Sequence, residues 1–144
     1  MNDILGCLMN NKHNMYMEIA KVIALESKAK RKQVGAVIVK NHNIISYGYN
    51  GMPNGFDNCC ENTHTGKTLV EVLHAETNAI AKATLQQTSI EGATIYITLS
   101  PCIECAKLIL QCKIKYVYFN TLYRKDDGIY LLRKGGVIVK QIGE

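Results

Sequence analysis

A chain of 144 residues, 47% hydrophobic and 20% charged, is long enough to bury one continuous core and too short for two ordinary ones, so a single domain spanning 1–144 is expected. A formal charge of +5 points to an anionic partner, a phosphate-bearing small molecule or nucleic acid, without choosing between them. No run approaches the eighteen or so apolar residues of a membrane span, and Met1 to Asn14 lacks the apolar centre of a signal peptide, so a cytoplasmic protein with no membrane attachment is expected, with Cys7 and Cys112 as free thiols in a reducing compartment.

From Asn14 to about Lys28, Tyr16, Ile19, Ala20, Ile23 and Ala24 recur at helical spacing and predict an amphipathic helix. The basic run Lys28, Lys30, Arg31 and Lys32 follows, readable either as a solvated helix end or as an anion-binding run. Val34 to Val39 and Ile44 to Tyr49 are β-branched runs separated by Lys40-Asn41-His42-Asn43, a polar turn that predicts a hairpin with His42 in solvent. Asn50 to about Thr68, with Gly51, Pro53, Gly55 and Gly66, reads as a long loop, and such loops inside compact domains are usually functional.

The loop leads to His74, which opens a predicted helix reaching about Gln86. A strand over Ala93 to Thr98 then delivers Ser100 and Pro101, a plausible N-cap and first helical position, for a helix running to about Lys113. Ile114 to Phe119 predicts a strand, Asp127 to Lys134 a short helix, and Val137 to Val139 a last strand. Strands and helices alternating in this way predict an α/β sandwich, with helices on both faces of one mixed sheet.

Chemistry concentrates in His74-Ala75-Glu76 and Pro101-Cys102-Ile103-Glu104-Cys105. A lone CxxC is shared by redox pairs and structural zinc knuckles. Here an imidazole and two thiols supply three zinc ligands, His74, Cys102 and Cys105, where a structural site would normally close with four. Three ligands leave a position for a water that the metal acidifies, and Glu76, two residues past the histidine, is a carboxylate free to carry protons. Two thiolates cancel the zinc charge, so the metal acidifies water less than a three-histidine site would, and the base matters more. Histidine and cysteines that are merely buried in the core are the alternative. H-x-E followed by P-C-x-x-C has the spacing of zinc deaminases, in which a hydroxide attacks an amidine-like ring carbon and ammonia leaves.

The chain resembles the deoxycytidylate (dCMP) deaminase family of the cytidine-deaminase-like superfamily. The likeness is carried by the two zinc motifs, Val34 to Val39, Gly48-Tyr49-Asn50-Gly51-Met52-Pro53-Asn54-Gly55, and the continuation His74 to Ile80 and Pro101 to Lys107. It implies a three-layer fold with a five-stranded mixed sheet between helices, and a Zn(2+)-dependent hydrolase converting dCMP to dUMP, which supplies thymidylate synthesis. It further implies that Asn50 hydrogen-bonds the deoxyribose, that Tyr123 contacts substrate, and that Ser27 and Lys28 end the first helix near the nucleotide phosphate. An asparagine tolerating a left-handed turn, and an ordinary core or surface tyrosine, are the alternatives for Asn50 and Tyr123.

Some relatives carry a second, structural zinc and respond to dCTP as activator and dTTP as inhibitor, and hexamers are common. Cys59, Cys60, His64 and Glu71 could supply such a second site here, although Ala29 stands where some relatives place a cysteine ligand. The rival activities are deamination of dCTP or of tRNA adenosine, and the rival class is a non-catalytic zinc-binding module. A tRNA enzyme would call for aromatic stacking positions, and with no Trp and two Phe no nucleic-acid partner is expected.

Overall fold

The computed structural model describes the backbone of residues 2–143 and the side chains of residues 12–143; Cys7 lies outside the described side chains. The elements are α1 (Asn2–Ala24), β1 (Gly35–Lys40), β2 (Asn43–Tyr49), α2 (Ala75–Leu85), β3 (Thr94–Leu99), α3 (Ile103–Gln111), β4 (Tyr116–Thr121), α4 (Asp127–Lys134) and β5 (Ile138–Gln141). The strands make one five-stranded sheet in the spatial order β2-β1-β3-β4-β5.

Connection length decides strand direction. β1 and β2 pair antiparallel through Asn41 and His42, whose φ angles of 52° and 63° match the right-handed twist of a two-residue hairpin. His42 is exposed at that tip, as expected. β3, β4 and β5 are joined through α3 and α4 and pair parallel, because such a connection returns the chain to the same edge of the sheet. β1 also pairs antiparallel with β3, so the sheet is mixed.

Alternation along the strands separates two apolar layers. Ala36, Ile38, Ile95, Ile97, Val117, Phe119 and Val139 form the larger core with Ala79 and Ala83 of α2, Ile109 of α3 and Leu132 of α4. On the opposite face, Val37, Val39 and Tyr96 meet Tyr16, Met17 and Ala20 of α1. Three helices thus cover one face and α1 the other, and β1 between them is buried along most of its length. Each fully buried isoleucine contributes on the order of 2 kcal/mol, and Ile38, Ile95, Ile97 and Ile109 are all in that state. β2 sits close under α2 because Gly48 has no side chain; a Cβ there would lie 2.6 Å from the Ala75 carbonyl oxygen.

Of the boundaries that differ from the sequence expectation, two bear on the site. α1 ends at Ala24 rather than near Lys28. Leu25, Glu26 and Ser27 donate to carbonyls three residues back, a tight turn that ends the helix and carries Ser27 inward. At the other boundary, α3 is capped by Cys102 and not by Ser100, so Pro101 precedes the helix. The Ser100 hydroxyl instead accepts the Tyr123 N–H at 2.7 Å, tying the loop after β4 to the end of β3.

Candidate active site

Two helices begin at the site, each with a chemically competent residue at its N-cap. His74 caps α2 and Cys102 caps α3, and neither side chain makes a capping hydrogen bond, so both are free to face each other. Cys105 lies one turn into α3 and is buried. His74 Nδ1 stands 3.3 Å from Cys105 Sγ and 3.4 Å from Cys102 Sγ. All three donor atoms fall within 4.8 Å of one another, and among the described residues this is the only group of three or more metal-competent side chains so placed.

The arrangement fits Zn(2+). Tetrahedral zinc with ordinary bond lengths separates its nitrogen and sulfur ligands by about 3.6 Å, close to the two nitrogen–sulfur spacings found. Hydrogen bonds, first from Cys105 and then from His74, pull the Cys102 thiol down to about 3. The Cys102 hydrogen bond raises His74 against the opposing effect of burial, and Cys105 is pushed up by its bond to Cys102 and by burial. A divalent cation replaces the protons on these groups on binding.

Glu76 lies in the first turn of α2, where free N–H groups and the helix dipole favour a carboxylate, yet it is only 4% exposed. Burial pushes its carboxyl above the usual range, with the neighbouring His74 charge pulling it partway back. A buried carboxylate whose affinity for protons has been raised, beside three ligands for a cation, is equipped to take a proton and return it.

Above these groups opens a cavity of about 500 Å³, floored by His74, Glu76 and Cys102, with Leu99, Leu122 and Val72 among its walls and Arg31, Lys32 and Arg124 supplying cations. Asn50 and Tyr123 also line it. Asn50 is not in a left-handed turn, since its φ is not positive. It works as a clamp: Oδ1 accepts from Val34 N–H at 2.8 Å and Nδ2 donates to the Lys32 carbonyl at 2.7 Å.

Ser27 and Lys28 are placed elsewhere. Ser27 is buried beneath the loop and donates to the Asn50 carbonyl at 2.7 Å, while Lys28 lines a separate cavity of about 190 Å³. Arg31 and Lys32, in the irregular segment that follows α1, line the main cavity. Cys59, Cys60, His64 and Glu71 are not gathered into a metal-competent group among the described residues. Cys59 Sγ contacts the Glu61 carbonyl, Cys60 turns toward the Asn58 carbonyl, and His64 and Glu71 are exposed. Glu61 and Arg124 line the cavity and carried no expectation; each stood beside a residue that drew attention for another reason.

Residues 10–121 match the family model described as the cytidine and deoxycytidylate deaminase zinc-binding region. The deoxycytidylate deaminase of Enterobacteria phage T4 is 34% identical, over 89% of this chain and 88% of the phage protein. That of Homo sapiens is 42% identical over 78% of this chain and 66% of the human one. Among solved structures, the dCMP deaminase of cyanophage S-TIM5 in complex with dCMP and dUMP superposes with a TM-score of 0.87 at 43% identity, covering 90% of this chain and 95% of that one.

Proposed function

Because the chain belongs to the cytidine and deoxycytidylate deaminase family, we propose that it hydrolyses dCMP to dUMP and ammonia in a zinc-dependent reaction. The observation that carries this reading is the convergence of His74 Nδ1 and two thiols beside buried Glu76 at the floor of a cavity furnished with cations. Zinc, held by His74, Cys102 and Cys105, supplies the acidity that lets water act as a nucleophile near neutral pH. Glu76 takes a proton from the attacking water and passes it to the ring nitrogen beside the attacked carbon; it then takes the second proton, from the newly added hydroxyl, and gives it to the departing amine as the ring carbonyl forms. Water adds, ammonia leaves, and a ring carbonyl replaces the amidine, with one carboxylate acting first as base and then as acid.

The other lining residues divide the substrate between them. Leu99, Leu122 and Val72 exclude water around the base. Arg31, Lys32 and Arg124 meet the phosphate, and the unused hydrogen of the Asn50 amide is available to the sugar. Tyr123, drawn in by the bond from its N–H to Ser100, closes one wall. Three donor groups with no fourth gathered among the described residues argue against a purely structural zinc module. Activation by dCTP, inhibition by dTTP, assembly as a hexamer and a cytoplasmic location complete the reading, and rest on the family likeness.

Ammonia release from dCMP, CMP, deoxycytidine and dCTP, measured in parallel with and without dCTP or dTTP as effector, tests it. The expected result is the highest kcat/KM on dCMP. A clear preference for another of the four would overturn the substrate while leaving the chemistry intact.

A further inference from the structure

Arg31 and Lys32 sit on neither helix nor strand: residues 27–34 form an irregular link between α1 and β1. Such a segment must find partners for its backbone outside any regular ladder. It finds two. Asn50 holds its later part through the Lys32 carbonyl and the Val34 N–H. Its earlier part is held by Glu61, whose Oε1 accepts the Lys30 N–H at 2.7 Å and the Arg31 N–H at 3.1 Å. Glu61 comes from the loop between β2 and α2, steadied by its bridge to Thr68.

Glu61 is 7% exposed and lines the cavity that is to receive an anion. A buried carboxylate there would repel a phosphate if it faced one unpaired, and burying it costs free energy unless donors meet it. Two N–H donors do meet it, and they belong to the segment that carries the cations. We propose that Glu61 is a positioning residue: its carboxylate fixes the 30–31 backbone so that the Arg31 and Lys32 side chains are presented to the phosphate of the nucleotide. The proposal rests on the nucleotide reading above, and it concerns discrimination between nucleotide and nucleoside rather than the deamination step.

Kinetics on dCMP and deoxycytidine separate these effects. Glu61→Ala is expected to lower kcat/KM for dCMP about ten-fold, through KM, and that for deoxycytidine by less than about two-fold. Glu61→Gln, whose amide oxygen can still accept both N–H groups, recovers most of the loss. If Glu61→Ala does not fold, Glu61→Asp, with its carboxylate drawn back by one methylene, gives a smaller loss in the same direction. Adding either change to an Arg31→Ala, Lys32→Ala background costs dCMP nothing further. Equal losses on both substrates, or no loss on either, would overturn the proposal.

Calorimetric binding of dUMP and deoxyuridine to the zinc-loaded protein gives a readout that needs no turnover. If the wild type deaminates neither substrate, the functional reading fails, and the ratio of the two affinities in wild type and Glu61→Ala still decides the role of Glu61. A wild type that does not prefer dUMP over deoxyuridine overturns it.

Discussion

Glu76 and Cys105 are both buried at the helix starts of this site, but a substitution at each should fail differently. Glu76 is not among the grouped ligand atoms, so Glu76→Gln should keep a full complement of zinc by metal analysis and lose about 10³-fold or more in kcat. Cys105→Ser removes a thiolate and should lose zinc and activity together. Turnover by Glu76→Gln within ten-fold of wild type would remove the carboxylate from the reaction. At this scale the candidate ligands and the carboxylate beside them were legible in the sequence because their spacing is local: two residues from His74 to Glu76, three from Cys102 to Cys105. Glu61 and Arg124 were not, since a carboxylate in a loop and an arginine after a strand acquire meaning only when residues 31 and 61 are folded onto one cavity. Asn50 was legible as important and not as a clamp, because its partners, the Lys32 carbonyl and the Val34 N–H, are backbone groups that every residue type offers.

Helices and strands were legible from periodicity, and their ends less so, because ends are set by tertiary partners. Ser100 and Pro101 have the character of a helix start, yet Tyr123 N–H claims the Ser100 hydroxyl and α3 begins at Cys102. α4 is in turn fitted against that start: a Cβ on Gly128 would overlap the Pro101 carbonyl oxygen and lie 2.9 Å from the Cys102 carbonyl group. Gly128→Ala should therefore cost about 1–3 kcal/mol by denaturant unfolding and speed zinc loss to a chelator, whereas Tyr130→Ala, 76% exposed on the same helix, should do neither. α1 has a different vulnerability. His13 stacks on Tyr118 with ring centroids 4.4 Å apart, and its Nδ1 is 2.6 Å from the Tyr96 hydroxyl. Burial, then the charge of Lys140, lowers its pKa below 6.5. The folded state thus favours neutral imidazole: the contribution is complete above the unfolded value and is lost as pH falls through it toward the folded one. Thermal midpoints followed from about pH 8 down to about pH 5 should fall more steeply for wild type than for His13→Phe, which keeps the stacking and cannot titrate. Parallel curves for the two proteins would show that His13 does not sense pH in this way.

Across the whole molecule, the layering explains why the metal should matter to stability as well as to catalysis. α1 alone covers one face of the sheet, while α2, α3 and α4 share the other through the larger core. α2 packs chiefly on β2 and β1, and α3 on α4, so the two helices that carry the ligands meet each other only sparingly. A cation held by His74 at the start of one and by Cys102 and Cys105 at the start of the other joins them across a gap that apolar packing leaves weak. It also joins the antiparallel half of the sheet to its parallel half. Zinc at a thousand times its dissociation constant would stabilise the folded state by about 4 kcal/mol, worth on the order of 10 °C in Tm for a chain of this size. Chelation should thus abolish turnover and lower Tm together, and added zinc should restore both. Glu76→Gln separates the two effects: it should show the same zinc-dependent rise in Tm as wild type with no gain in activity, while His74→Ala should show neither. If His74→Ala kept the full zinc-dependent rise in Tm, the metal would be bound elsewhere, and the link between α2 and α3 would have to come from packing alone.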